Sequence, residues 1–373
     1  MVEYLYKSFA RVVLLFCCFN AAFLRGEEKT VLITGGAGFI GSNFTEYMFN
    51  KYPDYRLIVL DALTYSASVD NIPKHVRDSD RFTFVKGSIC NDNLVDELMA
   101  QSDFVVHFAA ETDVTRSISD DEVFFETNVM GTRTLLHNLI KYKNKVQRFI
   151  HISSSEIYGT CENEEIDETH PMNPRSPYAA AKAGADRAVY AYGCTYDAPV
   201  VILRFFNNYG PRQYIEKVVA KFITFSLSNK PSIIHGSGEQ LRDWVYVEDT
   251  ARAIDAALHV SFEPIRNQVI NCGTGKATSI LDISRTIAYL LKQPMAKFSH
   301  SSDRPGQVHK HLSSTKKAKE LLGWEAKVAL EEGMKKTIEW YENHREFWEE
   351  GLNDSQIYKD NAVLIQEKRG EKN

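Results

Sequence analysis

From Lys29 to Ile152 the chain alternates short apolar, β-branched runs with longer stretches whose apolar positions recur at helical spacing. Thr30–Thr34, 56–60, 82–85, 104–110 and 148–152 are read as strands, and the stretches through Phe49 and from Asn128 to Lys143 as helices. Strands alternating with helices predict an α/β fold, a Rossmann-like doubly wound parallel sheet. Ligands on such sheets bind beyond the carboxyl ends of the strands, which directs attention to segments 109–117 and 153–159. The expected organisation is a large domain over 29–204, with part of 242–270 interleaved into it, and a smaller α/β domain over 205–345. The amphipathic stretch from Glu331 to Phe347, with Trp340 and Trp348 nearby, is expected to be a helix packed on that smaller domain.

The two ends follow different patterns. In the leader, 1–28, Lys7 and Arg11 precede an apolar run from Val12 to Leu24, too short to span a bilayer but similar to the core of a secretory signal. A targeting signal, a retained anchor and an inert extension all fit it. The tail, 346–373, is charged and without periodicity.

Composition narrows the class of partner. Among 373 residues, 44 Lys and Arg face 49 Asp and Glu, a net charge of -5 that excludes the basic balance of a nucleic-acid binder. Six cysteines without a C-x-x-C pair are read as reduced thiols, in keeping with a cytoplasmic protein. A working leader would instead place the protein in the secretory lumen or, as an anchor, at a membrane.

The first strand meets Gly35-Gly36-Ala37-Gly38-Phe39-Ile40-Gly41. Glycines at 35, 38 and 41 allow a tight turn, close approach of a pyrophosphate and close packing of the following helix. The second strand ends in Asp61, where a carboxylate can accept ribose hydroxyls and repel a 2′-phosphate, so NAD is expected over NADP.

Beyond the strand at Ile150 the chain reads Ser153-Ser154-Ser155-Glu156-Ile157-Tyr158-Gly159, and further on Ser176-Pro177-Tyr178-Ala179-Ala180-Ala181-Lys182. Tyr178 and Lys182, four apart, share a helix face, so the ammonium is expected to lower the phenol's pKa and make Tyr178 a base toward a sugar hydroxyl. Ser154 can hold the reacting oxygen against it. His309 and His311 have no third ligand at suitable spacing and are read as a solvated loop pair, with no metal site. Tyr192, Tyr196 and Tyr209 are read as core or interface aromatics.

With these motifs, and with Glu111-Thr112, Thr115-Arg116-Ser117-Ile118, Asn207-Asn208-Tyr209-Gly210-Pro211, Glu216-Lys217-Val218 and Arg242-Asp243-Trp244, the chain resembles the extended short-chain dehydrogenase/reductases over about residues 29–345. Within them it is most similar to the nucleotide-sugar 4,6-dehydratases. The resemblance implies NAD held by Gly35, Gly38, Phe39, Ile40, Gly41, Asp61, Ser88, Ile89 and Ala109, together with Tyr178 and Lys182. It implies a nucleoside-diphosphate sugar contacted by Glu111, Arg116, Asn207, Glu216 and Lys217, with Arg242 and Arg304 on the diphosphate, a task suited to the guanidinium fork. It also implies a homodimer formed through the helices near 128–142 and 179–192.

Two positions depart from the family pattern. Where those dehydratases usually read Thr-Asp-Glu this chain reads Ser154-Ser155-Glu156, which removes the acid expected to protonate a departing 6-hydroxyl; near the adenine, Gly87-Ser88-Ile89 replaces Gly-Asp-Ile. The shared first step is oxidation at C4. Dehydration across C5 and C6, with Glu156 as base, is the first expectation. Decarboxylation of a uronate, which needs no acid at 155, and 4-epimerisation, which needs only Tyr178, are the alternatives, and an inactive NAD-binding scaffold is a further one.

Overall fold

The computed structural model describes residues 28–161, 163–293 and 297–353. The leader, with Cys17 and Cys18, and the tail beyond 353 lie outside the described residues.

Seven strands form one all-parallel sheet: β1 Lys29–Thr34, β2 Tyr55–Asp61, β3 Phe82–Lys86, β4 Phe104–His107, β5 Arg148–Ser154, β6 Val200–Phe205 and β10 Val269–Cys272. Their order is β10-β6-β5-β4-β1-β2-β3, so the direction of winding reverses between β1 and β4. Because helices cover both faces, the central strands are continuously apolar: Leu57, Ile58, Val59 and Leu60 are all buried. On one face lie α1 (Phe39–Lys51) and α6 (Val247–His259), with Phe44, Met48, Ile254 and Leu258 in their core. On the other lie α2 (Asp92–Gln101), α3 (Thr132–Tyr142) and α4 (Pro177–Tyr196), packed through Val95, Leu98, Leu135, Leu139 and Val189.

The smaller region has its own core around Phe222, Ile223, Ile283, Ile287, Met334 and Ile338. These come from α5 (Val218–Leu227), α7 (Ile280–Leu290) and α8 (Leu330–Asn343). Its sheets are a three-stranded one, β11-β9-β7, and a parallel pair, β12-β8. Their strands are β7 Asn207–Tyr209, β8 Ser232–His235, β9 Leu241–Tyr246, β11 Ala277–Ser279 and β12 Phe298–Ser301. β9 runs directly into α6, so the chain leaves the small sheet and returns to the large one within one residue step.

Two elements differ from expectation. β4 stops at His107 instead of continuing to Ala110: after the ladder bond from Phe108 N–H to the Thr34 carbonyl at 2.9 Å, the Ala109 N–H turns to the Thr34 hydroxyl at 3.4 Å. The helix read from Asn128 opens earlier, as a π-helical turn over Phe125–Gly131 that precedes α3. Among the described residues no helix is long and apolar enough to cross a membrane, and Cys90, Cys161, Cys194 and Cys272 are free thiols.

Candidate active site

The glycine loop sits where β1 and β4 diverge. Gly35 has φ +72°, and a Cβ on it would lie 2.6 Å from the Ala109 nitrogen; one on Gly41 would lie 2.2 Å from the Gly35 carbonyl oxygen. Both positions demand glycine on internal grounds. Gly38 does not, since its Cβ would meet nothing nearer than 3.4 Å. Gly38 caps α1, whose first-turn N–H groups at Phe39 and Ile40 have no carbonyl one turn earlier within the helix, an arrangement that suits a pyrophosphate. The carboxylate of Asp61 accepts from Ala37 N at 2.9 Å and from Leu63 N at 2.8 Å, which fixes it at the end of β2. Burial raises its pKa, against those two N–H groups. Ser88 caps its own turn by accepting from Cys90 N at 3.1 Å, and Ile89 is buried against Gly131. These residues fit a dinucleotide.

Ser154 ends β5, and the four residues Ser155–Tyr158 form a 3-10 turn capped by its hydroxyl, which accepts from Glu156 N at 3.2 Å. α4 begins at its Ser176 cap with Pro177 at the first position, which orients Tyr178 and Lys182 toward that turn. Tyr178 is buried and hydrogen-bonded with Ser154. The expected lowering of the phenol by Lys182 is not what the structure shows: burial raises the Tyr178 pKa, opposed by Ser154 and Lys217. Lys182 is instead spent on the Ile152 carbonyl at 2.7 Å, and its own burial pushes it down to about 8. Beneath it His107 and His151 face each other at 5.1 Å between ring centroids. Burial, then Lys182, drives both down, His107 to about 3, so both are neutral.

The turn is locked from below. Asp186, one turn after Lys182 on α4, accepts from Ser153 Oγ at 2.7 Å and from Arg204 Nε and Nη2 at 2.9 and 2.8 Å. Arg204 Nη1 donates to the Tyr158 hydroxyl at 2.7 Å, and Tyr158 in turn donates to Asn271 Oδ1 at 2.7 Å.

Glu156 lies among Arg242, Arg304 and Lys217, with the imidazole of His311 beside it. Burial alone would raise its pKa, but His311, Arg242, Arg304 and Lys217 bring it below the ordinary carboxyl value, so it is an ionised base. Arg242 is buried on β9, held by the Val308 carbonyl at 2.9 Å, and Arg304 is anchored on Gln307 Oε1 at 2.8 Å. His311 corrects the sequence reading. His309 is exposed, as a solvated residue should be, but His311 is fully buried, with Nδ1 3.4 Å from Ser155 Oγ and 3.9 Å from Glu156 Oε1. Alternation in an extended segment puts residues 309 and 311 on one face, so no signal in the sequence separated the buried ring from the exposed one.

A second cluster adjoins the glycine loop. Tyr65 donates to Glu216 Oε1 at 2.6 Å, Lys217 pairs with Glu216 at 2.9 Å, and Lys217 Nζ donates to the Thr112 carbonyl at 3.1 Å. Burial raises the Glu216 pKa, whereas the Asp113 pKa is lowered despite burial, chiefly by Lys217 and the bond with Glu216. Tyr65 and Asp113 were not among the residues singled out from the sequence. Arg116 stacks over the Tyr65 ring at 4.0 Å and pairs with Glu111 at 3.2 Å. Asn207, opposite Trp244 where β7 pairs with β9, has a buried Oδ1 with no hydrogen-bond partner among the described residues.

Comparison with known proteins gives a matching set. A family model described as GDP-mannose 4,6 dehydratase matches residues 32–337. A trifunctional UDP-glucose 4,6-dehydratase/UDP-4-keto-6-deoxy-D-glucose 3,5-epimerase/UDP-4-keto-L-rhamnose-reductase of Arabidopsis thaliana is 37% identical over 328 residues, 86% of this chain and 48% of the plant protein. The chain thus spans about half the length of that relative. The crystal structure of dTDP-glucose 4,6-dehydratase from Bacillus anthracis in complex with NAD superposes with TM-score 0.79 at 35% identity, covering 86% of this chain and 99% of that one. The UDP-glucuronic acid 4-epimerase from Bacillus cereus, solved with UDP-glucuronic acid and NAD, superposes with TM-score 0.79 at 30% identity over 84% of this chain and 99% of its own.

Proposed function

The chain belongs to the NAD-dependent nucleotide-sugar dehydratase and epimerase family, and from that membership we propose that it is a 4,6-dehydratase acting on a nucleoside-diphosphate hexose. The observation that carries this reading is Glu156, a base distinct from Tyr178, whose pKa is lowered against burial by its coupling to His311 and by Arg242, Arg304 and Lys217. Elimination needs such a second base, whereas epimerisation at C4 does not.

NAD held by the glycine loop and Asp61 would supply the hydride acceptor for C4 and return the hydride to C6. Tyr178, steadied by Ser154, takes the C4 hydroxyl proton. The ketone so formed acidifies the hydrogen at C5, and Glu156 removes it. Arg242 and Arg304 would meet the diphosphate, Lys217 and Glu216 the nucleotide, and the unpaired Asn207 Oδ1 a substrate hydroxyl or amide. As a second reading, the same two arginines beside Glu156 and the lack of an acid at Ser155 suit a uronate that loses CO2. Against it, Arg116, the cation that would favour a carboxylate substrate, is already paired with Glu111 and stacked on Tyr65.

The test is product mass after incubation of the protein and NAD with dTDP-glucose, UDP-glucose and UDP-glucuronate. Loss of one water from a neutral hexose is expected. Loss of CO2 from the uronate, or an isomer of unchanged mass, would replace this reading. We place the activity in the cytosol, with its pool of nucleotide sugars, and in a homodimer.

A further inference from the structure

Serine cannot protonate a leaving group unaided, because its alkoxide is far too basic to be left behind, yet Ser155 stands beside Glu156 where such an acid is needed. The side chain is buried, with its Oγ 3.4 Å from His311 Nδ1, a long contact of the kind catalytic pairs show before substrate tightens them. The other ring nitrogen, Nε2, lies 2.9 Å from the Gly159 carbonyl, which only accepts, so the ring proton is on Nε2 and Nδ1 carries the lone pair. His311 Nδ1 is also 3.9 Å from Glu156 Oε1. The ring is held from its backbone: His311 N donates to the Leu241 carbonyl at 3.0 Å, and Lys310 accepts from Cys161 N at 3.0 Å, which pins the segment between β9 and the loop after the turn.

We propose that Ser155 and His311 together replace a carboxylic acid at position 155, relaying to the departing 6-hydroxyl the proton that Glu156 removes from C5. Ser155 is the residue that touches the leaving oxygen, and His311 acts through it as a positioning and relay residue. The inference rests on the dehydratase reading.

In the step itself, Glu156 takes the C5 proton and the C5–H electron pair becomes the C5–C6 double bond as the C6–O bond breaks. The leaving hydroxyl takes the Ser155 hydroxyl proton and departs as water. In the same movement His311 Nδ1 passes to Ser155 Oγ the proton it takes from the Glu156 carboxyl, which returns to carboxylate, so no serine alkoxide is left. Nε2–H stays on the Gly159 carbonyl throughout. One proton and one hydroxide leave, and all three side chains end as they began. Burial pushes His311 down to about 4, into the range of a carboxyl group, so the ring is a weak base that releases a proton readily.

The variant His311→Gln keeps an amide able to donate to the Gly159 carbonyl while removing Nδ1. In single-turnover reactions with dTDP-glucose or UDP-glucose it is expected to form the 4-ketohexose nucleotide at the wild-type rate and to lose water about 100-fold more slowly, so that the ketohexose accumulates. Ser155→Asp added to His311→Gln supplies the acid directly and is expected to restore most of the lost rate. Wild-type dehydration in His311→Gln, equal loss of oxidation and dehydration, or no rescue by Ser155→Asp each overturns the relay. A wild-type protein that oxidises C4 but releases no water from any hexose overturns the dehydratase reading, and is distinguished because it needs no variant to appear.

Discussion

Tyr178 is the residue on which every proposed step first depends, and the structure gives it a raised pKa, with burial outweighing Ser154 and Lys217. The phenol is therefore no standing base, and Ser154 and Lys217 are the groups that favour its ionisation against burial. Tyr178→Phe is expected to lower turnover by a factor of about 10²–10⁴ while leaving NAD binding intact, as read by titration of the cofactor. Full activity in that variant would remove Tyr178 from its role. Glu156→Gln should spare C4 oxidation and stop the reaction there, with the ketohexose nucleotide left as the only product; release of dehydrated sugar would show that another base acts at C5. The difference between Ser154, Tyr178 and Lys182 on one side and His311 on the other is one of distance along the chain. A helix turn enforces the Tyr178–Lys182 spacing, so residue types four apart announce themselves. His311 reaches Ser155 only because the 309–314 segment is pinned beside β9, and no local pattern encodes that contact.

At the scale of elements, the 3-10 turn carrying Ser155 and Glu156 is held to α4 and β6 by one buried ion pair. Asp186 and Arg204 are almost wholly shielded from solvent, at 0% and 2% side-chain exposure, and the pair is satisfied by Ser153 and Tyr158 besides. Asp186→Asn leaves Arg204 charged and unmatched, and is expected to cost about 3–5 kcal/mol in denaturant unfolding. The same pair makes stability depend on acid. Burial works against ionisation of Asp186, but Arg204, Ser153 and Arg187 bring its pKa below the ordinary 3.8. A depressed carboxyl contributes stability that is complete above its unfolded value and is lost as the pH falls through its folded one. Wild-type stability should therefore fall below about pH 4 and the Asp186→Asn variant should fall less. Equal acid sensitivity in the two would show that this pair is not the cause. Five strands of this sheet, β1 to β5, were readable from their apolar runs, since strands covered on both faces leave little room for polar positions, whereas β6 and β10 were not singled out. The π turn at Phe125–Gly131 was not, because its apolar spacing differs from that of an α-helix by one residue in a short segment.

For the whole molecule, the π turn and α4 pack together and leave Phe125, Met130 and Tyr190 at 41%, 50% and 39% exposure. Large apolar side chains grouped on two adjoining helices suit the homodimer proposed above. The double variant Met130→Glu with Tyr190→Glu should sediment as a monomer with unchanged secondary structure, whereas an unchanged dimer would move the interface elsewhere. The amino-acid sequence by itself determined the doubly wound sheet, the glycine loop and the shared helix face of Tyr178 and Lys182, because each depends on periodicity or spacing within neighbouring elements. Only the tertiary structure decided what surrounds Glu156. His311, Arg242, Arg304 and Lys217 converge on that carboxylate from segments far apart in the chain, and that convergence is a property of the packed molecule that no local run of residues carries.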